Sequence, residues 1–251
     1  MTFSGKAVLI TGATRGIGLA TAKAFLESGA RVAINGRTRD SVKSVIDNLR
    51  VNDKLVAAPG DVATVAGCES VVGAALDAFG GLDILVNNAG VLKVAQMADS
   101  DEAVWDSIMD INVKGTYFCS RAALPALTKR HGVIVNVASE AGLNGYPGMT
   151  VYCASKGAIV NLTRAMSQEL APTVRVNCVC PGSIDTDMAR IGYAIDGDVA
   201  AGLEKEARSY PMKRIGTADE VAKAILYLAS SDAGFVTGAA LAIDGGATAG
   251  R

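Results

Sequence analysis

Short apolar runs alternate along this chain with stretches in which apolar residues recur every three or four positions. Lys6–Ile10 (KAVLI) reads as a fully buried strand, Arg31–Ile34 as a second and Leu55–Ala58 as a weaker third. Asp83–Val86, Val133–Val137, Val174–Val179 and Ala239–Ile243 continue the series. Between them, Ile17, Ala20, Thr21, Ala24 and Phe25 keep helical spacing, as do Val65, Cys68, Val72, Ala75, Leu76 and Phe79. Ile159, Leu162, Met166 and Leu170 mark a long helix, and Val221, Ile225 and Leu228 a late one. Strands alternating with helices predict an α/β fold: one doubly wound domain over residues 1–251, with a mostly parallel seven-stranded sheet and helices on both faces. The stretch at about 184–210 escapes this rhythm. It follows Pro181-Gly182 at a strand's carboxyl end, where ligands sit in open α/β sheets, and is expected to be a substrate-loop excursion.

The bulk numbers narrow the function. A chain of 251 residues suits one large core. Half of the residues are apolar, yet no apolar run approaches the roughly 18 residues needed to cross a membrane. Met1–Lys6 runs directly into a strand, without the layout of a signal peptide. The net charge is −1 and the Lys and Arg residues are dispersed, so neither a nucleic-acid face nor a membrane patch is expected, and the protein reads as cytoplasmic. The five cysteines (Cys68, Cys119, Cys153, Cys178 and Cys180) form no CxxC pair and read as reduced, mostly buried thiols rather than disulfide or metal ligands; no metal is expected. The sole histidine, His131, sits before a glycine and reads as solvated, which argues against Ser-His hydrolase chemistry.

Candidate chemistry begins where the first strand ends. Thr11-Gly12-Ala13-Thr14-Arg15-Gly16-Ile17-Gly18 leads into a helix, and its glycines would allow a tight turn and close approach of backbone to a pyrophosphate. The spacing differs from G-x-G-x-x-G, so by itself the turn is a moderate signal, and a mere tight strand–helix turn is the lesser alternative. An acid at the end of the second strand would bind the ribose 2′-hydroxyl of NAD. That place holds Gly36, followed by Arg37, with Arg15 inside the glycine turn. Two guanidiniums without an opposing acid suit a 2′-phosphate and favour NADP(H).

Tyr152 and Lys156 stand four residues apart on a helix and share a face. A phenol is a poor acid–base catalyst at neutral pH, and a cation one turn away is expected to favour its ionised form. Ser139, at the end of the Val133–Val137 strand, could place a hydroxyl at a substrate oxygen where charge develops. Outside this context a Tyr/Lys pair at helical spacing is usually only a solvated face.

Taken in order, these segments resemble the short-chain dehydrogenase/reductase family, a Rossmann-type fold, over nearly the whole chain. Thr11–Gly18 matches TGxxxGxG, Asn87-Asn88-Ala89-Gly90 matches NNAG, and Ile111-Asn112 matches the helix asparagine. Ser139 lies thirteen residues before the tyrosine of the YxxxK pair Tyr152/Lys156, and Asp244-Gly245-Gly246 matches the C-terminal signature. The resemblance implies a catalytic set of Asn112, Ser139, Tyr152 and Lys156, with Tyr152 moving the proton, Lys156 also holding the nicotinamide ribose, and Asn112 holding a water of a proton relay. It implies a cofactor site of Gly12, Thr14, Arg15, Gly16, Ile17, Gly18, Arg37, Asp61, Val62, Asn88, Ala89, Gly90, Tyr152, Lys156, Pro181, Gly182, Ile184 and Thr186. Asp61 and Val62 would frame the adenine and Thr186 would hold the carboxamide. It also implies a homo-oligomer, usually a tetramer, acting on a small-molecule carbonyl or alcohol.

Three stretches, Tyr146-Pro147-Gly148, Asp185–Met188 and Arg214-Ile215-Gly216, resemble 3-oxoacyl reductases most, although sugar and polyol enzymes share them. Carrier-protein docking would need basic residues near the site. Lys129-Arg130 supplies a pair, but Ala171-Pro172-Thr173 holds none. The expected activity is therefore an NADP(H)-dependent ketone or 3-oxoacyl reductase. A sugar or polyol dehydrogenase, or a non-catalytic cofactor-binding regulator, would show a similar pattern. Glu140 reads as a surface residue, with hydrogen bonding to a polyhydroxylated substrate as the alternative.

Overall fold

Strands that are apolar at every position need cover on both faces, and they receive it. The structure, a computed structural model, describes residues 1–49, 53–192 and 198–250. In chain order the elements are β1 Ala7–Ile10, α1 Gly16–Glu27, β2 Arg31–Ile34, α2 Arg39–Leu49, β3 Leu55–Ala57, α3 Val65–Phe79 and β4 Ile84–Asn87. α4 Glu102–Met109, a π turn at Asp110–Lys114, α5 Gly115–Arg130, β5 Val133–Val137, α6 Thr150–Leu170 and β6 Arg175–Pro181 follow. β7 Ile184–Asp185, α7 Asp187–Gly192, α8 Val199–Ser209, β8 Gly216–Thr217, α9 Ala218–Ala229 and β9 Ala240–Ile243 complete the chain.

Seven parallel strands form one sheet in the order β3-β2-β1-β4-β5-β6-β9. Period-two alternation sends Val8, Ile10, Val32, Ile34 and Val135 to one face, against Phe25 of α1 and Val221, Ile225 and Leu228 of α9. Leu9, Leu85, Ile134 and Val176 face the other side, against Val72 and Phe79 of α3, Cys119 and Leu127 of α5 and Met166 of α6. Strand order reverses between β1 and β4, and the crevice beyond their carboxyl ends is where such sheets bind ligands.

Strand β4 begins one residue later than the sequence pattern suggests, because Asp83 serves as an anchor. Its carboxylate accepts from Lys6 Nζ at 3.0 Å, from the Ala7 amide at 2.9 Å and from Arg130 Nη1 at 2.9 Å. Burial pushes this carboxyl up, but the Ala7 N–H, Lys6 and Arg130 outweigh it and hold it below the usual aspartate range. Its stabilisation is therefore present above the unfolded-state value near 4 and is lost as pH falls through the lowered native value. Asp83→Ala is expected to lower the unfolding free energy by about 2 kcal/mol at pH 7, since both cations are partly solvated, and the difference should shrink in acid. Urea denaturation at pH 7 and pH 3 measures both; equal stability at pH 7 would refute the anchor.

The excursion expected at 184–210 is more regular than its sequence suggests. β7 pairs in parallel with β8 through Ile184↔Gly216 and Asp185↔Thr217, and α7 and α8 fill most of the remainder. Residues 193–197 of that stretch lie outside the described residues. No helix among the described residues is long and apolar enough to cross a membrane.

Candidate active site

The turn after β1 is built for close approach. Gly12 takes φ +61°, and a β-carbon there would stand 2.7 Å from Ala89 Cα. Asn88 locks the turn from the β4 side: its Nδ2 donates to the carbonyls of Thr11 and Gly12, both at 2.9 Å. The Asn88 and Ala89 amides each donate to Thr11 Oγ1 at 3.0 Å. From the β2 side, Asn35 Oδ1 accepts from the Gly12 amide at 3.2 Å, while its Nδ2 donates to Ala58 O at 2.9 Å and Gly60 O at 3.0 Å. Asn35 thus ties three strand ends together. Apart from a weak contact with Gly36 O at 3.3 Å, its partners lie more than twenty residues away, so no local pattern marked it.

Helix α1 starts from Arg15, whose side chain makes no capping hydrogen bond. With Gly16, Ile17 and Gly18 in the first turn, the helix presents amides and the positive end of its dipole to the crevice. Thr186 closes the opposite side: its Cγ2 lies 3.4 Å from where a Gly16 β-carbon would stand. Thr14, half-buried, packs near Gly36. Val62 is buried and Asp61 exposed, with Asp61 Oδ1 accepting from the Ala63 amide at 3.0 Å. Arg15 and Arg37 are exposed and make no ion pair among the described residues. A dinucleotide with a pyrophosphate fits this cradle, because Gly12, Gly16 and Gly18 carry no side chains and the first-turn amides of α1 lie beside them.

The catalytic candidates converge at the carboxyl ends of β4, β5 and β6. Tyr152 and Lys156 occupy adjacent turns of α6, with Lys156 Nζ 5.7 Å from the centre of the Tyr152 ring. Nζ donates to Val137 O at 2.9 Å, at the end of β5. Burial lowers the lysine from 10.5 to about 8. Ser139 follows β5; its Oγ accepts from the Ala141 amide at 3.1 Å and lies 3.5 Å from Pro181 O of β6.

The π turn carries Asn112 inward, where it is almost fully buried. Its Oδ1 accepts from Val91 N at 2.9 Å, and its Nδ2 donates to Val91 O at 3.1 Å and to Ser155 Oγ at 3.0 Å. Ser155 Oγ donates to Tyr152 O at 2.8 Å, so Asn112 braces the first turn of α6 through Ser155. A β-carbon on Gly90 would stand 3.4 Å from both Asn112 Oδ1 and Lys156 Nζ, so the bare glycine borders both groups. Gly182 hydrogen-bonds to Ile243 O at 3.1 Å, and Ile184 is buried beside it in the chain.

Glu140 corrects the sequence reading: it is 7% exposed, not a surface residue. The short 3-10 turn capped by Ser139 points its side chain inward, where Oε1 accepts from the Tyr210 hydroxyl at 2.6 Å. Burial pushes this carboxyl up, the Tyr210 bond opposes the rise, and nearby Asp244 and Glu206 add to it. His131 is exposed at the end of α5, as expected, and Arg130 of the basic pair is committed to Asp83.

Comparisons with known proteins identify the family. A family model described as enoyl-(acyl carrier protein) reductase matches residues 12–248. The 2-(S)-hydroxypropyl-CoM dehydrogenase 3 of Xanthobacter autotrophicus is 42% identical, over 96% of this chain and 96% of its own. A 3-oxoacyl-[acyl-carrier-protein] reductase of Chlamydia muridarum is 37% identical, over 96% of each chain. The ligand-free aldohexose dehydrogenase of Thermoplasma acidophilum superposes with a TM-score of 0.91 at 30% identity, covering 99% of this chain and 96% of that one. The chain belongs to the short-chain dehydrogenase/reductase family, oxidoreductases that bind a nicotinamide cofactor and act on CH–OH groups.

Proposed function

We propose that this protein is an NADP(H)-dependent reductase of a ketone or 3-oxoacyl carbonyl, working with Tyr152, Lys156, Ser139 and Asn112. The observation that carries the reading is the buried Lys156 ammonium, 5.7 Å from the Tyr152 ring centre, bonded to Val137 O two residues before Ser139 and bordered by the bare Gly90. Held in the cradle at Gly12, Gly16 and Gly18, a nicotinamide dinucleotide would supply the hydride for reduction or take it up in oxidation. Tyr152 gives its phenolic proton to the carbonyl oxygen, or takes one from the alcohol in the reverse direction. Ser139 donates to the same oxygen as charge gathers there. Lys156 holds a positive charge against the Tyr152 ring in a dry setting and holds the nicotinamide ribose, while Asn112 keeps the first turn of α6 in place through Ser155 and borders the proton relay.

The preference for NADP(H) is supported by a steric argument. A β-carbon at Gly36 would stand 2.5 Å from Thr14 Cγ2 and 3.0 Å from Val42 Cγ2, so an acid there to bind a 2′-hydroxyl would have to displace these side chains. Arg37 and Arg15 remain free for a 2′-phosphate. Wild type is expected to use NADPH at least about 10-fold better than NADH in kcat/KM, and Arg37→Ala to cut that preference about 10-fold, the scale of a charge-assisted hydrogen bond. Equal use of both cofactors would overturn the NADP(H) assignment. Run over small ketones, acyl thioesters and polyols, the same panel tests the substrate: activity confined to sugars or polyols would replace the reductase reading. Half-exposed Trp105 and Tyr117, on and after α4, and fully exposed Phe235 before β9 support a homotetramer, and the free thiols suit a cytoplasmic setting.

A further inference from the structure

Glu140 and Tyr210 take no part in the chemistry above, yet they form a buried polar contact beside it. A buried carboxylate is expensive unless it is held. Glu140 Oε1 accepts from the Tyr210 hydroxyl at 2.6 Å, the Tyr146 hydroxyl also stands close enough to favour its charge, and its Oε2 meets no hydrogen-bond partner within bonding distance among the described residues. Two further carboxylates, Glu206 and Asp244, stand close enough to oppose its charge. Tyr210 is 4% exposed and gathers more than this one contact. Its hydroxyl accepts from the Ser183 amide at 2.8 Å and lies 3.0 Å from Ser183 Oγ, which donates to Glu206 Oε1 of α8 at 2.7 Å. One phenol therefore joins three segments that are distant in sequence: the residue after Ser139, the loop after β6, and the carboxyl end of α8. A phenylalanine would fill the same space, so packing alone does not call for the hydroxyl.

We infer that Glu140 and Tyr210 are positioning residues, a clamp that fixes the end of helix α8 to the Ser139 turn and to the Gly182–Ile184 loop, and so sets the substrate-side wall of the active site. The substrate part of this inference rests on the proposed reductase activity; the clamp itself does not. Opening the clamp should loosen 199–216 and weaken substrate capture, while the proton-transfer groups on α6 and the dinucleotide cradle keep their own supports.

The test uses the full-length protein and the variants Tyr210→Phe, Glu140→Ala and Glu140→Gln, with two readouts. Amide hydrogen exchange without substrate needs no activity. Tyr210→Phe and Glu140→Ala should speed exchange across 199–216 about 10-fold, the equivalent of one charge-assisted bond, and leave the sheet strands unchanged. Steady-state kinetics with NADPH and the best carbonyl substrate should show the substrate KM raised about 10-fold, with kcat and NADPH affinity each within about 3-fold, because Gly182 and Ile184 are only part of the implied cofactor site. Glu140→Gln keeps an acceptor for the phenol and should recover most of both effects. Exchange and KM within 2-fold of wild type in Tyr210→Phe would overturn the clamp, as would faster exchange spread evenly over the strands. If Tyr210→Phe does not fold, Glu140→Gln decides: exchange in 199–216 as fast as in Glu140→Ala overturns the proposal, and near-wild-type exchange upholds it. If no carbonyl substrate is turned over, the reductase reading fails, and the exchange measurement still judges the clamp.

Discussion

Replacing Lys156 with methionine is expected to make the protein harder to unfold while removing almost all of its turnover. The ammonium is buried, and burial lowers it from 10.5 to about 8. At about 1.4 kcal/mol per pH unit, holding that charge in the native state at pH 7 costs about 3 kcal/mol. Methionine has a similar length, carries no charge, and gives up only the bond to Val137 O, worth about 1 kcal/mol. The net gain is about 2 kcal/mol at pH 7. The sign follows from the direction of the shift. A base whose native value is depressed burdens the fold below that value, and the burden fades as pH rises from about 8 to 10.5. Wild type should therefore gain stability over that interval and Lys156→Met should not, so the gap between them closes and then reverses. Turnover should fall about 100-fold or more, because Tyr152 loses the positive charge beside its ring. Wild-type kcat/KM for carbonyl reduction should also decline above about pH 8, as the free enzyme loses this proton. Denaturant titrations at pH 7 and pH 10, with initial rates, check all of this. A methionine variant less stable than wild type at pH 7 would show that the buried charge does not burden the fold.

That prediction combines a residue readable from sequence with an energy that is not. The Tyr152/Lys156 pair was legible because a helix brings positions four apart together with no help from the rest of the chain. The strands were legible for a related reason. In a parallel sheet covered on both faces, β1 and β5 show unbroken apolar runs, and the seven strands were found to within two residues at each end. Helix α5 went unmarked because its inward face is made of Gly115, Thr116, Cys119, Ser120, Ala123 and Leu127, which is too small and too polar to show a hydrophobic period. Thr116 and Ser120 satisfy their hydroxyls one turn back, at 2.7 Å each, and so pass unnoticed into the core. Glu140 was misread for a different reason: its partner is seventy residues away, and nothing within a turn of it signals burial. Side chains whose meaning is local were visible, and those whose meaning is a distant contact were not.

Tyr152→Phe carries the largest expected effect, a loss in kcat of about 1,000-fold, within the usual range for removing a general acid. The substitution is close to a pure deletion of one hydroxyl. Lys156 Nζ sits 5.7 Å from the ring centre, and a phenylalanine ring would offer the same face to the ammonium. The brace on this turn of α6 runs from Asn112 through Ser155 to the backbone carbonyl of Tyr152, not to its side chain, so it survives the change. Tyr152 is only half-buried, so stability should stay within about 1 kcal/mol of wild type. Tyr152 is one of many groups in the implied cofactor site, and the cradle at Gly12, Asn88 and the start of α1 is held without the phenol, so NADPH affinity should fall by less than about 3-fold. The signature is thus a collapse of kcat with folding and cofactor binding intact. Calorimetric titration of NADPH beside single-turnover reduction measures the two halves separately. Substantial turnover in Tyr152→Phe would remove the phenol from the mechanism and leave Ser139, the other hydroxyl at the site, as the proton donor to examine.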